Sequence, residues 1–292
     1  MSVRRVVLLI GVVLVVSASG IAPANASSSD SGTIAFVREV DEQGIWLVRP
    51  DGTETRITDG QDYRPDWSPN GRWIVFQRFV GGGSDIYVVR ADGSDLHAIT
   101  TDGDNYHPSW SPDGTRIAFG HGSLRGGEIE VMGADGSNRV QLTHNRELDA
   151  RPTWSPDGST LCVERGPGHT GDLYLVPVDG SGETRLTRTS ARDQEPSWSP
   201  DGRWIVFSRS HANHAQDLYL IRPDGSGLRR LTHNRALDWS PSWSPDGTQV
   251  VFTRARYQRR QELLVALTVR TGDRERVAVS PAYELEPDWR PV

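Results

Sequence analysis

Pro108-Ser109-Trp110-Ser111-Pro112-Asp113-Gly114 is the stretch on which the fold turns, because the chain writes close copies of it at regular intervals. A Pro-x-Trp stands at Trp67, Trp110, Trp154, Trp198, Trp243 and Trp289, at spacings of 43, 44, 44, 45 and 46 residues. A period of this size with strand-like text in every unit signals a propeller or a stacked array. Within one unit, Ile74-Val75-Phe76, Asp85-Ile86-Tyr87-Val88-Val89 and Ala98-Ile99-Thr100 are short β-branched and aromatic runs, and Pro108-Ser109-Trp110 makes a fourth. Such short runs, separated by Gly, Asp and Pro, read as strands. Asp92-Gly93 and Asp113-Gly114 supply the positive φ that tight hairpins need. Four antiparallel strands per unit follow.

With the Pro-x-Trp strand as A, strand B recurs as Ile34-Ala35-Phe36, Ile74-Val75-Phe76, Ile117-Ala118-Phe119, Leu161-Cys162-Val163, Ile205-Val206-Phe207 and Val250-Val251-Phe252. The copies are out of phase at the ends: the first strand is a B near Thr33 and the last is an A, Pro287-Asp288-Trp289. Placing the C-terminal A beside the N-terminal B solves both mismatches and removes two exposed strand edges. The expected fold is therefore all-β: a six-bladed β-propeller of four-stranded antiparallel blades over residues 33–292, its ring closed by the C-terminal strand in the N-terminal blade. An open solenoid would need polar caps, which the text does not supply.

Trp-Ser-Pro-Asp-Gly at 110–114, 154–158, 198–202 and 243–247, with the variant Trp67-Ser68-Pro69-Asn70-Gly71, resembles the repeat of TolB-type six-bladed propellers. The Ile-Tyr-Val-Val…Asp-Gly text of strand C fits the same family, and the resemblance spans 33–292. It departs in two places. TolB proper carries an additional α/β domain before its propeller, which this sequence is not expected to form. The sixth unit reads Val269-Arg270-Thr271-Gly272 where the others have the strand C turn. The resemblance implies engagement of partners at the channel mouth.

Residues 1–26 read as an export signal. Arg4-Arg5 precedes an apolar run from Val6 to Val16, followed by Ala24-Asn25-Ala26, an A-x-A cleavage site. The run is too short to favour a membrane span. Cleavage after Ala26 would leave residues 27–32 as a polar lead and a protein that is secreted or held in the periplasm or cell envelope, not spanning a membrane. Loss of Arg4 and Arg5 moves the formal charge from −6 to −8, which argues against nucleic-acid partners. The one cysteine, Cys162, lies in an apolar strand and reads as a packed small hydrophobe. A monomer without cofactor or bound metal is expected.

Strands that alternate in direction put the short A–B and C–D turns on one face and the longer, more varied D–A and B–C loops on the other. Binding usually lives on varied loops over a rigid scaffold. This loop face holds His107, His121, His169, His211 and His214, with Arg254, Arg256, Arg259 and Arg260. Five residues before each Trp stands Asp62, Asn105, Asp149, Asp193, Asp238 or Glu284. That ring of acids invites a metal, but sixteen residues on stand Arg78, His121, Arg165, Arg209 and Arg254, with Arg38 facing Glu284 across the ring closure. Matched signs point to structural ion pairs. The acids opening strand C (Asp85, Glu128, Asp172, Asp217, Glu262) are rival partners for these arginines.

The residues three and four before each Trp differ from unit to unit. The first set is Glu286, Arg64, His107, Arg151, Glu195 and Ser240; the second is Leu285, Tyr63, Tyr106, Ala150, Gln194 and Trp239. Together they suggest an exposed mouth with an apolar arc (Trp239, Leu285, Tyr63, Tyr106), a basic arc (Arg64, His107, Arg151) and acids (Glu195, Glu286). The candidate ligand-binding residues are Tyr63, Arg64, Tyr106, His107, Arg151, Glu195, Trp239 and Glu286. No nucleophile elbow, zinc-protease helix or phosphate loop occurs. Leu-Thr-His-Asn-Arg at 142–146 and 231–235 offers two histidines that repeat copying explains as well. The function expected is an exported, non-catalytic propeller that binds a protein segment or an envelope polymer at the loop-face mouth. The alternative is a lyase or hydrolase acting there on a carbohydrate or peptide, with His107 and Glu195 as acid and base.

Overall fold

The computed structural model describes residues 32–39, 42–123, 126–166, 171–211, 215–233, 236–256, 261–277 and 284–292. The segment expected to be an export signal, most of the expected polar lead, His169, His214, Asn234, Arg235, Arg259, Arg260 and the side chain of Arg256 lie outside the described residues.

Every element among the described residues that forms a regular ladder is a strand. The first three are β1 (Ile34–Arg38), β2 (Gly44–Val48) and β3 (Glu54–Arg56). Next come β4 (Asp62–Trp67), β5 (Trp73–Val80), β6 (Gly83–Arg90) and β7 (His97–Ala98). β8 (Asn105–Trp110), β9 (Arg116–His121), β10 (Glu128–Gly133) and β11 (Val140–Gln141) repeat that set. So do β12 (Asp149–Trp154), β13 (Thr160–Arg165), β14 (Asp172–Pro177) and β15 (Thr184–Arg185). They are followed by β16 (Arg192–Trp198), β17 (Ile205–Ser210), β18 (Gln216–Ile221) and β19 (Arg229–Arg230). The last are β20 (Leu237–Trp243), β21 (Gln249–Arg256), β22 (Gln261–Thr268), β23 (Arg274–Arg276) and β24 (Glu284–Trp289).

Strands pair antiparallel in chain order, in sets of four. β24 returns to pair with β1, setting Trp289 opposite Ile34 and Glu284 opposite Arg38. Two parallel bridges were not foreseen. Gln216 to Leu237 joins β18 to β20, so the sets β16–β19 and β20–β23 share one ladder, and Gly171 bridges to Arg192 of β16.

The recurring text has a physical job in each set. In the Ser-Pro-Asp-Gly turn, the Asp113 carboxylate accepts from Ser111 Oγ at 2.5 Å and from Thr115 N at 3.0 Å, while Gly114 N donates back to Ser111 O. Those donors hold the Asp113 carboxyl down at about 2. Gly114 takes φ +70°, which a side chain would resist. The fourth strands are only two or three residues long, shorter than the sequence suggests, because a threonine bends the chain inward. Thr143 Oγ1 accepts the N–H of Ile129, and Leu142 N and Thr143 N both donate to Ile129 O. Thr58, Thr100, Thr187 and Thr232 repeat the bond to the strand-C N–H. The doubled Leu-Thr of 142–143 and 231–232 is thus a structural clip, and His144 and His233 beside it point to solvent.

Packing follows the same period. Phe36, Phe76, Phe119, Phe207 and Phe252 stand at one position of the second strands, each 0% exposed. Each is worth about 1.5–3 kcal/mol of apolar burial. Six apolar clusters form, and each is drawn from two successive sheets. One of them joins Val251 and Leu264 of the last set to Ile34, Phe36 and Val48 of the first.

The acid–arginine pairs are present where the spacing puts them. Asp62, Asp149, Asp193 and Asp238 sit directly across the ladder from Arg78, Arg165, Arg209 and Arg254. Each carboxylate is 0% exposed and takes two guanidinium bonds of 2.5–2.9 Å. The neutral copy is kept too: His121 Nδ1 lies 3.0 Å from Asn105 Oδ1. The strand C acids do not compete. Asp85 accepts instead from Thr100 Oγ1, Gly103 N and Asn105 Nδ2, and Asp217 takes Arg230. The pair at the chain ends is the irregular one. Arg38 donates to Glu54 at 2.7 Å and stands 3.7 Å from the buried Glu284. Burial first, then the charge of Glu54, pushes the Glu284 carboxyl up from 4.5 to about 7.

Two outcomes follow. Deleting residues 284–292 bares one edge of β1 and strips the buried Arg38 of a neighbour; calorimetry and gel filtration should find a protein that melts far below the full chain or aggregates. A carboxyl raised on folding favours the folded state fully below pH 4.5 and loses that contribution as pH climbs toward about 7. Urea unfolding of Glu284→Gln across that window should therefore show a flatter decline than the parent chain, the difference reaching at most about 3 kcal/mol.

Candidate functional site

The inner strands do not run straight. In β4, β8, β12, β16, β20 and β24 the ladder register shifts just before the Trp, so that two residues face one on the partner strand. At each shift the residue three before the Trp adopts a left-handed backbone: Arg64, His107, Arg151, Glu195, Ser240 and Glu286, with φ between 49° and 56°. A proline follows every one of them. A bulge of this kind re-aims the side chain it carries. Here it aims all six at one cavity of about 130 Å³, lined by three consecutive residues of every inner strand, 64–66, 107–109, 151–153, 195–197, 240–242 and 286–288.

The residues three before the Trp line this cavity, and those four before it do not. The latter sit on the far side of the bulge. Tyr106, expected on an exposed rim, is 5% exposed. Its ring lies where a Cβ on Gly120 or Gly127 would be, within 2.1 and 1.8 Å, so those two glycines form its slot. Leu285, Ala150 and Gln194 are also buried. Tyr63 and Trp239 are half-buried and pack against the cluster of Trp67, Ile74 and Phe76. The apolar arc is largely interior. In its place the loop face carries Phe79, 48% exposed at the β5–β6 hairpin tip beside Val80, with its ring edge-on to Tyr63 at 5.6 Å.

The cavity side chains form a network. Arg64 reaches three other strands: Nε lies 2.8 Å from Glu286, Nη2 3.0 Å from Glu195, and Nη1 3.2 Å from Ser240 Oγ. Glu195 also accepts from Ser240 N at 2.8 Å and Ser208 Oγ at 3.1 Å. Burial alone would raise its carboxyl; Arg64, Arg151 and these donors outweigh it and hold it at about 2. Arg151 donates to Glu164 at 2.6 Å, and Glu164 also takes both contacts from Arg192. Burial, then Arg151, Arg64 and Arg192, keeps His107 neutral well below its ordinary range. An acid held at about 2 is a feeble base at neutral pH, which weakens the expected acid–base couple of His107 and Glu195.

One level deeper, the middle residue of Pro-x-Trp also lines the cavity, a row that sequence reasoning passed over. Asp66 accepts from Trp110 N at 2.6 Å, and Asp288 from Trp67 N at 2.9 Å and Ser242 Oγ at 2.8 Å. They sit on neighbouring inner strands. Burial and the Asp288 charge raise Asp66, and burial raises Asp288 to about 6, so the pair favours holding a proton. The signal was a small or acidic residue at that slot in every copy. Among the described residues no group of three or more His, Cys, Asp or Glu could hold a metal ion. Cys162 is buried in β13 with its thiol pushed up by desolvation alone.

Like strands converging with their sheets on one central cavity define a β-propeller. The family described as TolB beta propeller domain (PD40) matches residues 10–200, more than half of the chain, and the protein belongs to that family. The Tricorn protease N-terminal beta propeller domain matches residues 168–288. The crystal structure of TolB from Acinetobacter baumannii superposes at a TM-score of 0.80 with 22% identity, over 91% of this chain and 68% of that one. A putative TolB from Agrobacterium tumefaciens gives 0.69 and 22%, over 91% and 100%. Sequence relatives match over shorter stretches: an uncharacterized protein of Agrobacterium fabrum is 47% identical over 51 residues, and the Tol-Pal system protein TolB of Nitratidesulfovibrio vulgaris 42% over 52. The chain spans 17% and 12% of the length of these two curated relatives.

Because Tyr106 fills an interior slot, Tyr106→Ala should cost about 3–5 kcal/mol in urea unfolding, as loss of a buried aromatic does. A rim residue would cost almost nothing.

Proposed function

We propose that this chain is an exported, non-catalytic propeller of six blades, its ring closed by β24 on β1, that binds a protein segment at the loop-face mouth of the central cavity. Residues 1–26 serve as the export signal, 27–32 as a polar lead and 33–292 as the propeller, acting in the periplasm, cell envelope or outside the cell. The observation that carries the binding reading is the inner row itself. Six backbones take one conformation, yet their side chains are Arg, His, Arg, Glu, Ser and Glu. Packing asks for repetition; asymmetry at a converging position serves a ligand. Phe79 and Tyr63 supply an aromatic rim beside that mouth, the kind of anchor that dominates protein interfaces. A relative named for the Tol-Pal system supports a partner that is a protein. An envelope polymer is the reading that fails if capture depends on protein.

The test compares three proteins as bait against the native envelope or secreted fraction. Phe79→Ser alters the exposed rim, and Leu228→Ser alters an equally exposed residue between β18 and β19 on the opposite face. Phe79→Ser should lower retention of a protease-sensitive partner at least tenfold while the melting temperature moves by only a few degrees. Leu228→Ser should bind as the parent does. The reverse pattern would place the site on the other face.

A further inference from the structure

The geometry points to a carboxylate-binding subsite on the cavity wall formed by His107 and Arg151, which takes an Asp or Glu side chain or the C-terminal carboxylate of the bound segment. This inference rests on the segment-binding reading of the mouth and gives that segment a chemistry.

Room comes first. The cavity of about 130 Å³ is lined by three residues of every inner strand. The end of a side chain or of the chain itself fits there.

Donor accounting then selects the wall. Arg64 is committed, with contacts to Ser240, Glu195 and Glu286 on three strands. Glu195 and Glu286 are thereby occupied, and a cationic ligand would have to displace Arg64 to reach them. On the opposite side two groups are left over. Arg151 Nε and His107 Nδ1 are shut away from solvent with no hydrogen-bond partner among the described residues. Arg151 Nε stands 3.8 Å from Glu195, outside bonding range. Arginine nitrogen can only donate, and neutral histidine can donate from Nδ1 in one tautomer. Leaving a buried hydrogen bond unmade is costly, so an acceptor able to serve both groups is favoured there. A carboxylate presents two acceptor oxygens, one for each group.

Electrostatics agrees. The charged groups acting on His107 are Arg151 on β12, Arg64 on β4 and Arg192 on β16, all guanidiniums; Tyr106 lies edge-on at 5.2 Å. An anion seated between His107 and Arg151 offsets that field, so its binding must raise the affinity of the imidazole for a proton. By reciprocity, lowering the pH tightens the anion.

The experiment uses the mature protein with its histidine rings isotopically labelled and the His107 signal assigned by His107→Gln. Sodium acetate is the probe, titrated at constant ionic strength against sodium chloride, with guanidinium chloride as the cation arm. Acetate should move the His107 signal saturably and raise its titration midpoint, leaving the other histidines in place. Arg151→Gln should weaken that response at least tenfold, and Arg151→Lys, which keeps charge but loses Nε, should weaken it less. The unmoved histidine signals of each variant confirm folding. Equal responses to chloride and acetate, an unchanged response in Arg151→Gln, or a response to guanidinium in place of acetate would each overturn the subsite. Rim-dependent capture without an acetate response would remove the subsite and leave the segment-binding reading. An acetate response with no effect of Phe79→Ser on capture would do the opposite.

Discussion

One backbone constraint governs the centre of this molecule: each inner strand carries a left-handed residue followed by proline. A non-glycine residue in that region costs on the order of 1–2 kcal/mol, so six of them need firm support from the ladders on either side. The support is visible. Outside each bulge the strand is held by a buried cross-strand pair, in four sets an Asp bound by two guanidinium nitrogens. Inside it, side chains of the preceding set catch the main chain: Glu286 accepts from Arg64 N, Gln77 from His107 N, and Glu195 from Ser240 N. The bulge therefore brings the sheets into register with one another as well as opening the cavity.

Much of this was legible. Period, strand count per unit, turn chemistry and the sixteen-residue acid–arginine spacing all come straight from residue identity, because each depends on local pairing across two adjacent strands. What could not be read was which side of the inner strand faces the axis. Alternation along an ideal strand treats the residues three and four before the Trp as opposite faces without saying which is inward, and a single inserted residue reverses the answer. Tyr106 shows the consequence. Its interior position is announced by Gly120, the one glycine in a slot that elsewhere holds Val37, Gln77, Glu164, Ser208 or Thr253, and that clue becomes meaningful only once the two residues are known to face each other. Phe79 escaped notice for a different reason: β5 and β6 are longer than their counterparts in the next three sets, and Phe79 pairs with Ser84 on the extra length of the ladder.

The chain ends are where the pattern is least well satisfied. Four sets answer a buried Asp with a matched Arg; the set that contains both termini has a longer Glu284 and an Arg38 drawn to Glu54 and stacked on Trp46 at 4.0 Å. Breaking a buried pair is far costlier than never having made one. The set joined last in the chain thus keeps its carboxyl inclined to hold a proton.

The left-handed residues also restrict vocabulary. At φ near +50° a β-branched side chain collides with its own backbone, while unbranched ones are tolerated. The six residues found there are Arg, His, Arg, Glu, Ser and Glu, and none is Val, Ile or Thr. Lineages can thus rewrite this row among long polar, ionic, small or aromatic letters without disturbing the frame, but stiff aliphatic letters are barred. Any selectivity that arises by drift at these six positions is bound to be a selectivity of charge, hydrogen bonding and reach, never of branched apolar shape.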